Sequence, residues 1–204
     1  MARTSSWLMR RRRDQYHRLA VEKGYRSRAA FKLLEMIRSY RFIRRGDWVI
    51  ELGAAPGGWT QVLAEAVGAE GHVLAVDTRP MEPLDQPQVK SLQLDITSES
   101  ALSTLAEVCG GKVDAVISDV SPNISGAWDL DHSRQIYLAR RSLEVAESLL
   151  RTDGNFLVKV FQGRELSSFL HEVRRSFRGL RIIRPRATRM SSAELYVLGL
   201  GFLE

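Results

Sequence analysis

Short apolar runs of strand length alternate along this chain with stretches of helical character. The runs are DWVIEL (47–52), HVLAVD (72–77), VKSLQLD (89–95), VDAVISD (113–119) and NFLVKVF (155–161). Between several of them lie WTQVLAEAVGA, SALSTLAEVC and SRQIYLARRSLEVAESLL. Near-continuous apolar strands separated by helices predict an α/β fold, a mostly parallel sheet with helices on both faces. RELSSFLHEVRRSF, after residue 161, reads as a further helix. LRIIRP and ELYVLGLGF follow with no helix between them, which predicts an antiparallel pair at the sheet edge. Residues 1–45 read as a basic helical segment ahead of a core over 46–204. No repeat and no Pro/Gly/Ser-rich linker divides the chain, so one domain over 1–204 is expected.

Strand-like runs end in Asp77, Asp95 and Asp119. In open α/β sheets the ligand crevice lies outside the carboxyl ends of the strands. Any one of these acids could be a turn or cap residue, but together, beside one glycine loop, they look like a site. That loop is LGAAPGGW (52–59). A phosphate-binding loop needs lysine after its second glycine, where Trp59 stands. A dinucleotide fingerprint needs glycine at the position of Ala55. Asp77, about 20 residues on, suits a ribose. S-adenosylmethionine carries an adenosine, a positive sulfonium and no phosphate, so an acid-lined crevice favours it. A nicotinamide-dependent oxidoreductase is the weaker reading, since acids repel pyrophosphate.

Charge is distributed unevenly. Residues 1–45 hold 14 Lys/Arg against 3 Asp/Glu, and 173–190 hold seven arginines and no acid. Residues 46–172 carry 9 basic and 19 acidic groups. Basic ends around an acidic middle suggest a polyanion partner, nucleic acid above all. The single cysteine, Cys109, excludes an internal disulfide and a Cys-based zinc site, and no metal is expected. No run approaches the ~18 apolar residues of a membrane span, and MARTSSWLMRRRR has no apolar signal core. A cytoplasmic protein with no membrane partner is expected.

GYRSRAAFKLLE, LGAAPGGWTQ, DTRPMEP, SDVSPNISG, LVKVFQG and SSAELYVL stand in the order and spacing of the FtsJ-like ribosomal RNA large subunit methyltransferase E family. The resemblance runs from about residue 20 to 201. It implies a Rossmann-like, seven-stranded S-adenosylmethionine-dependent methyltransferase sheet. It also implies methylation of the ribose 2′-oxygen of a uridine in large-subunit rRNA, naked or in the assembled subunit, by a monomer. Some relatives add an RNA-binding domain after the sheet. Here that contribution is expected from the basic segments.

The family's catalytic set falls on Lys32, Asp119, Lys159 and Glu194, with Lys159 as proton acceptor and the others tuning it and orienting the ribose. For the cofactor, Gly53, Gly57 and Trp59 would line the methionine and adenosine walls. Asp77 would take the ribose hydroxyls, Asp95 the adenine edge and Asp119 the methionine end. Read alone, the residues support this unevenly. Lys159 interrupts the apolar run FLVKVF, where a lysine needs a partner, and Asp119 is the natural one, unless the ammonium snorkels to water. Lys32, on the Arg28–Lys32–Glu35 helix face, reads as solvated surface, and Glu194 as an edge charge. Trp59 could as well be core, and Tyr25 and Phe31 could stack on bases or pack under the N-terminal helix. The same chemistry would serve a tRNA anticodon loop or an mRNA cap. An RNA-binding assembly factor without turnover is the alternative from another class.

Overall fold

The computed structural model describes residues 15–204. The Arg10–Arg13 run lies outside them. Strands β1 (Trp48–Leu52), β2 (His72–Asp77), β3 (Val89–Gln93), β4 (Val113–Ser118) and β5 (Leu150–Phe161) run parallel. With β6 (Phe177–Ile183) and β7 (Glu194–Phe202) they form a seven-stranded sheet in the order β3-β2-β1-β4-β5-β7-β6.

The absence of alternation in the strands has a direct cause. Val49 and Ile50 of β1 are both fully buried, but on opposite faces. Val49 packs against α1 (Ala30–Tyr40) and α2 (Gly58–Val67) through Leu33, Met36 and Leu63. Ile50 and Leu52 meet α3 (Ala101–Cys109), α4 (Trp128–Leu149) and α5 (Leu166–Ser176) through Leu105, Ile136 and Phe169. Every strand position between two helical layers is interior, so apolar residues run on. Residues 15–22 form a further helical stretch ahead of α1.

The chain goes from β1 outward to β2 and β3, then crosses back to β4 on the other side of β1. The strand order therefore reverses between β1 and β4, and their carboxyl ends open a crevice there. Backbone bonds hold its lips: Gly53 N donates to Val76 O (2.8 Å), and Asp119 N donates to Leu52 O (3.0 Å).

The last two strands pair antiparallel as expected, but not as an edge hairpin. β7 lies between β5 and β6, antiparallel to both, and of these two last strands only β6 is at an edge. The buried stretch Tyr196–Leu198 of β7 needs partners on both sides, whereas β6 exposes Arg178 and Arg181, charges that suit an edge. Since β6 runs parallel to β5, it starts at the end of the sheet away from the crevice and delivers residues 184–193 to the crevice end. α4 begins at Trp128, five residues before its periodic pattern suggests. Among the described residues, no helix is long and apolar enough to cross a membrane.

Candidate active site

A cleft of about 610 Å³ opens at the crevice, within the range of small-molecule sites. Gly53 forms its floor with φ +80°, and a Cβ there would stand 2.8 Å from Val120 N, so only glycine lets the β1 and β4 loops meet. Asp77, Asp95 and Asp119 all line it, together with Leu94, Ile96, Val120 and Pro122.

Each acid is held differently. Both oxygens of Asp77 accept backbone N–H groups, from Ala55 (2.9 Å) and Arg79 (2.9 Å), so this carboxylate also ties the glycine loop to the turn after β2. Asp95 sits in the loop two residues beyond β3. Its Oδ1 accepts from Thr97 N (2.8 Å) and Thr97 Oγ1 (2.7 Å), which lowers its pKa, the backbone bond contributing most. Asp119 follows β4 and faces both the cleft and the lysine beside it. Carboxylate oxygens set among aliphatic side chains fit an adenosine bearing a positively charged sulfur and amine.

Gly57 and Trp59, expected on the cofactor walls, stand at the start of α2 and are not among the residues lining this cleft. Gly57 (φ +105°) caps α2, and a Cβ on it would press on Met81 and Arg26. The Trp59 indole is buried between α1 and the sheet, donating from Nε1 to Ala29 O (2.8 Å). Any contact from Trp59 to the cofactor would come from its backbone in the first turn of α2.

Beside the cleft, four charges meet. Lys159, on β5, keeps only 7% of its side chain exposed, and its Nζ lies 3.3 Å from Asp119 Oδ1 while donating to Asp119 O (2.7 Å). Lys32, on α1, forms an ion pair with Glu194, the first residue of β7. Lys32 is thus a part-buried ion-pair partner and not the solvated surface its helix face suggested, because β7 brings Glu194 against α1. The two pairs join through Tyr196, whose hydroxyl lies 2.9 Å from Asp119 Oδ1, 3.2 Å from Glu194 Oε1 and 3.5 Å from Lys32 Nζ. Burial, reinforced by both carboxylates, raises the Tyr196 pKa well above its usual value, so it stays a phenol. Its hydroxyl bridges the two carboxylates and so links the Lys32–Glu194 pair to the Asp119–Lys159 pair. Sequence reading missed Tyr196. The signal available was its spacing: two residues after Glu194, it shares that residue's face of the strand.

Phe31 packs on Tyr25 and on Tyr16 at ring distances of 5.8 and 5.6 Å. Burial and the Glu65 carboxylate, which accepts from the Tyr25 hydroxyl (2.9 Å), push the Tyr25 phenol up to about 12. The packing alternative describes these rings.

The family described as FtsJ-like methyltransferase matches residues 25–202. The chain belongs to that family. Curated relatives agree. A protein of Methanothrix thermoacetophila named ribosomal RNA large subunit methyltransferase E is 47% identical over 192 residues, covering 94% of this chain and 74% of that one. A protein of the same name from Archaeoglobus fulgidus is 47% identical over 194 residues, 95% of this chain and 98% of that one. Among solved structures, a Plasmodium falciparum protein described as a ribosomal RNA methyltransferase superposes with TM-score 0.77 at 25% identity, covering 88% of this chain and 99% of that one. This FtsJ-like chain is a methyltransferase, and its methyl donor is S-adenosylmethionine.

Proposed function

We propose that this FtsJ-like methyltransferase methylates the ribose 2′-oxygen of a uridine in large-subunit rRNA, with Lys159 accepting the proton. The observation that carries the reading is the Lys32–Tyr196–Asp119–Lys159 chain opening onto a cleft that shares Asp119. The names of the relatives support rRNA as substrate.

A ribose 2′-hydroxyl is a weak nucleophile, so alignment and proton removal are what the protein must add. When bound, S-adenosylmethionine supplies an already activated methyl on a sulfonium. Asp77 would accept from the cofactor ribose hydroxyls, Asp95 would take the adenine edge, and Asp119 would face the methionine end. The Lys159 amine takes the hydroxyl proton as the 2′-oxygen bonds to the methyl carbon, whose bond to sulfur breaks and leaves a neutral thioether. Lys32 and Glu194, locked to each other, hold Tyr196, which orients Asp119, which in turn aims Lys159. Alignment can supply roughly 7–11 kcal/mol and a general base about 10²–10⁴-fold. The protein works as one domain and as a monomer in the cytoplasm, on naked rRNA or the assembled subunit. Mapping 2′-O-methyl positions in total RNA, from cells with and without this chain, tests the reading. One uridine in large-subunit rRNA loses its mark if it holds; an unchanged map sinks it.

A further inference from the structure

We propose that Trp128 is a stacking platform for one unpaired base of the substrate RNA beside the target ribose, an inference that rests on the RNA methyltransferase reading above. Trp128 opens α4 and is 49% exposed, while the rings behind it are buried: His132 at 3% and Phe161 at 9%. Both lie nearly parallel to the indole, with centroids at 6.3 Å and 6.0 Å and interplanar angles of 21° and 26°. An indole backed by two buried rings loses little further freedom when something covers its outer face. Ile124, in the loop before α4, and Leu130, on α4, are also exposed.

The platform is fixed to the catalytic residues. Phe161 ends β5 two residues after Lys159 and pairs in register with Glu194. Gln135, one turn past His132, donates from Nε2 to Lys159 O (2.8 Å) and Val120 O (3.1 Å), stapling α4 to both strand ends. The loop from Asp119 to Trp128 lines the cleft with Ser121–Asn123. Asp131 then clamps it by accepting from Ser125 N (2.8 Å), Ser125 Oγ (2.8 Å) and Gly126 N (3.0 Å). His132 is seated as tightly: its Nε2 accepts from Glu165 N (3.0 Å), and a Cβ on Gly163 would collide with the ring at 2.5 Å. A rigid half-exposed aromatic at the rim of a ribose-methylating site matches the π-face of an unstacked base, which any nucleobase offers. Arg164, 81% exposed on the loop after β5 and paired with Asp129 at 3.4 Å, sets a guanidinium on the same rim.

The test is steady-state methyl transfer to rRNA or large subunits by wild type, Trp128→Ala, Trp128→Phe and Trp128→Tyr, with cofactor affinity measured separately. Loss of one stacked base predicts a KM for RNA raised about 5- to 150-fold in Trp128→Ala. The expected cofactor affinity is unchanged, and Phe or Tyr restores most of the loss. An unmoved KM in Trp128→Ala overturns the proposal, as does a cofactor affinity that falls in step. If Trp128→Ala does not fold, fluorescence decides: RNA should quench wild type more than Trp128→Phe, and equal quenching overturns the platform. A partner protein on this patch would leave both RNA readouts unmoved. Wild type that methylates no RNA at all would instead sink the underlying reading.

Discussion

A phenol carries one proton, and Tyr196 sets its oxygen between two carboxylates. The arrangement is stable because each carboxylate has its own cation, Lys32 for Glu194 and Lys159 for Asp119, and the shorter Tyr196 contact is to Asp119. Tyr196→Phe removes that bond and keeps the ring, which packs 5.6 Å from Trp59. A hydrogen bond to a charged partner contributes about 1.5–3 kcal/mol, so the single-turnover rate should fall roughly 10- to 150-fold with cofactor affinity nearly unchanged. A wild-type rate in Tyr196→Phe would remove the phenol from the chain that aims Lys159. Lys159→Ala should lose about 10²–10⁴ in rate. Lys159→Arg should fail too, because a guanidinium does not give up its proton to become an acceptor. Single-turnover transfer to rRNA at saturating cofactor reads both, and near wild-type turnover in Lys159→Arg would make Lys159 a positive charge only. At this scale Lys159 was legible because a cation in an apolar strand stands out. Tyr196 was not, because an aromatic in a strand is ordinary until the register sets it opposite Lys159.

At the scale of elements, the five parallel strands and the helices between them were readable from local composition, since each is a run bounded by its own turn residues. The place of β7 was not. Whether two late strands close an edge or interleave depends on which strand finds an interior partner, and no local pattern encodes that. Glu51 shows a further consequence of strand position. It lies between the buried Ile50 and Leu52 on β1, faces α2, and accepts from Thr60 Oγ1 (2.6 Å) at Oε2, while Oε1 is buried without a partner. Burial, with Asp119 and Asp77 adding to it, pushes Glu51 from the usual 4.5 up to about 8. The folded state therefore keeps a proton that the unfolded chain releases above about 4.5. This contribution to stability is complete below that pH and is lost as pH rises toward about 8. At roughly 1.4 kcal/mol per unit, the loss is at most about 5 kcal/mol. Glu51→Gln, which cannot ionise, should flatten the decline between pH 5 and 8 in denaturant unfolding. An equally steep decline in the variant would mean that Glu51 does not titrate in that window.

The two basic blocks, far apart in sequence, meet in the folded molecule, but only in part. Arg28 of the first donates to Ala187 O (2.7 Å), Arg186 N donates to Glu35 (2.9 Å), and Lys32 pairs with Glu194. This convergence rescues Lys32 from the solvated face its helix suggested, and only the tertiary fold could show it. The arginine block itself is divided by the direction of β6. Arg174, Arg175 and Arg178 precede or open that strand, at the end of the sheet away from the cleft, with Arg178 paired to Asp153. Arg184, Arg186 and Arg189 follow it and reach the cleft end. If RNA crosses the site with its phosphates on this rim, each neutralised phosphate adds a slope of about −0.7 to −0.9 to log affinity against log salt. Charge reversal at Arg184 and Arg189 should then weaken RNA binding and make the slope shallower by one to two such steps. Reversal at Arg174 and Arg175 should change neither, and both variants should bind cofactor like wild type. Filter binding of rRNA across a salt series distinguishes the two pairs. Equal losses from both would mean that the arginines act through overall charge, and an RNA path confined to the cleft end would be wrong.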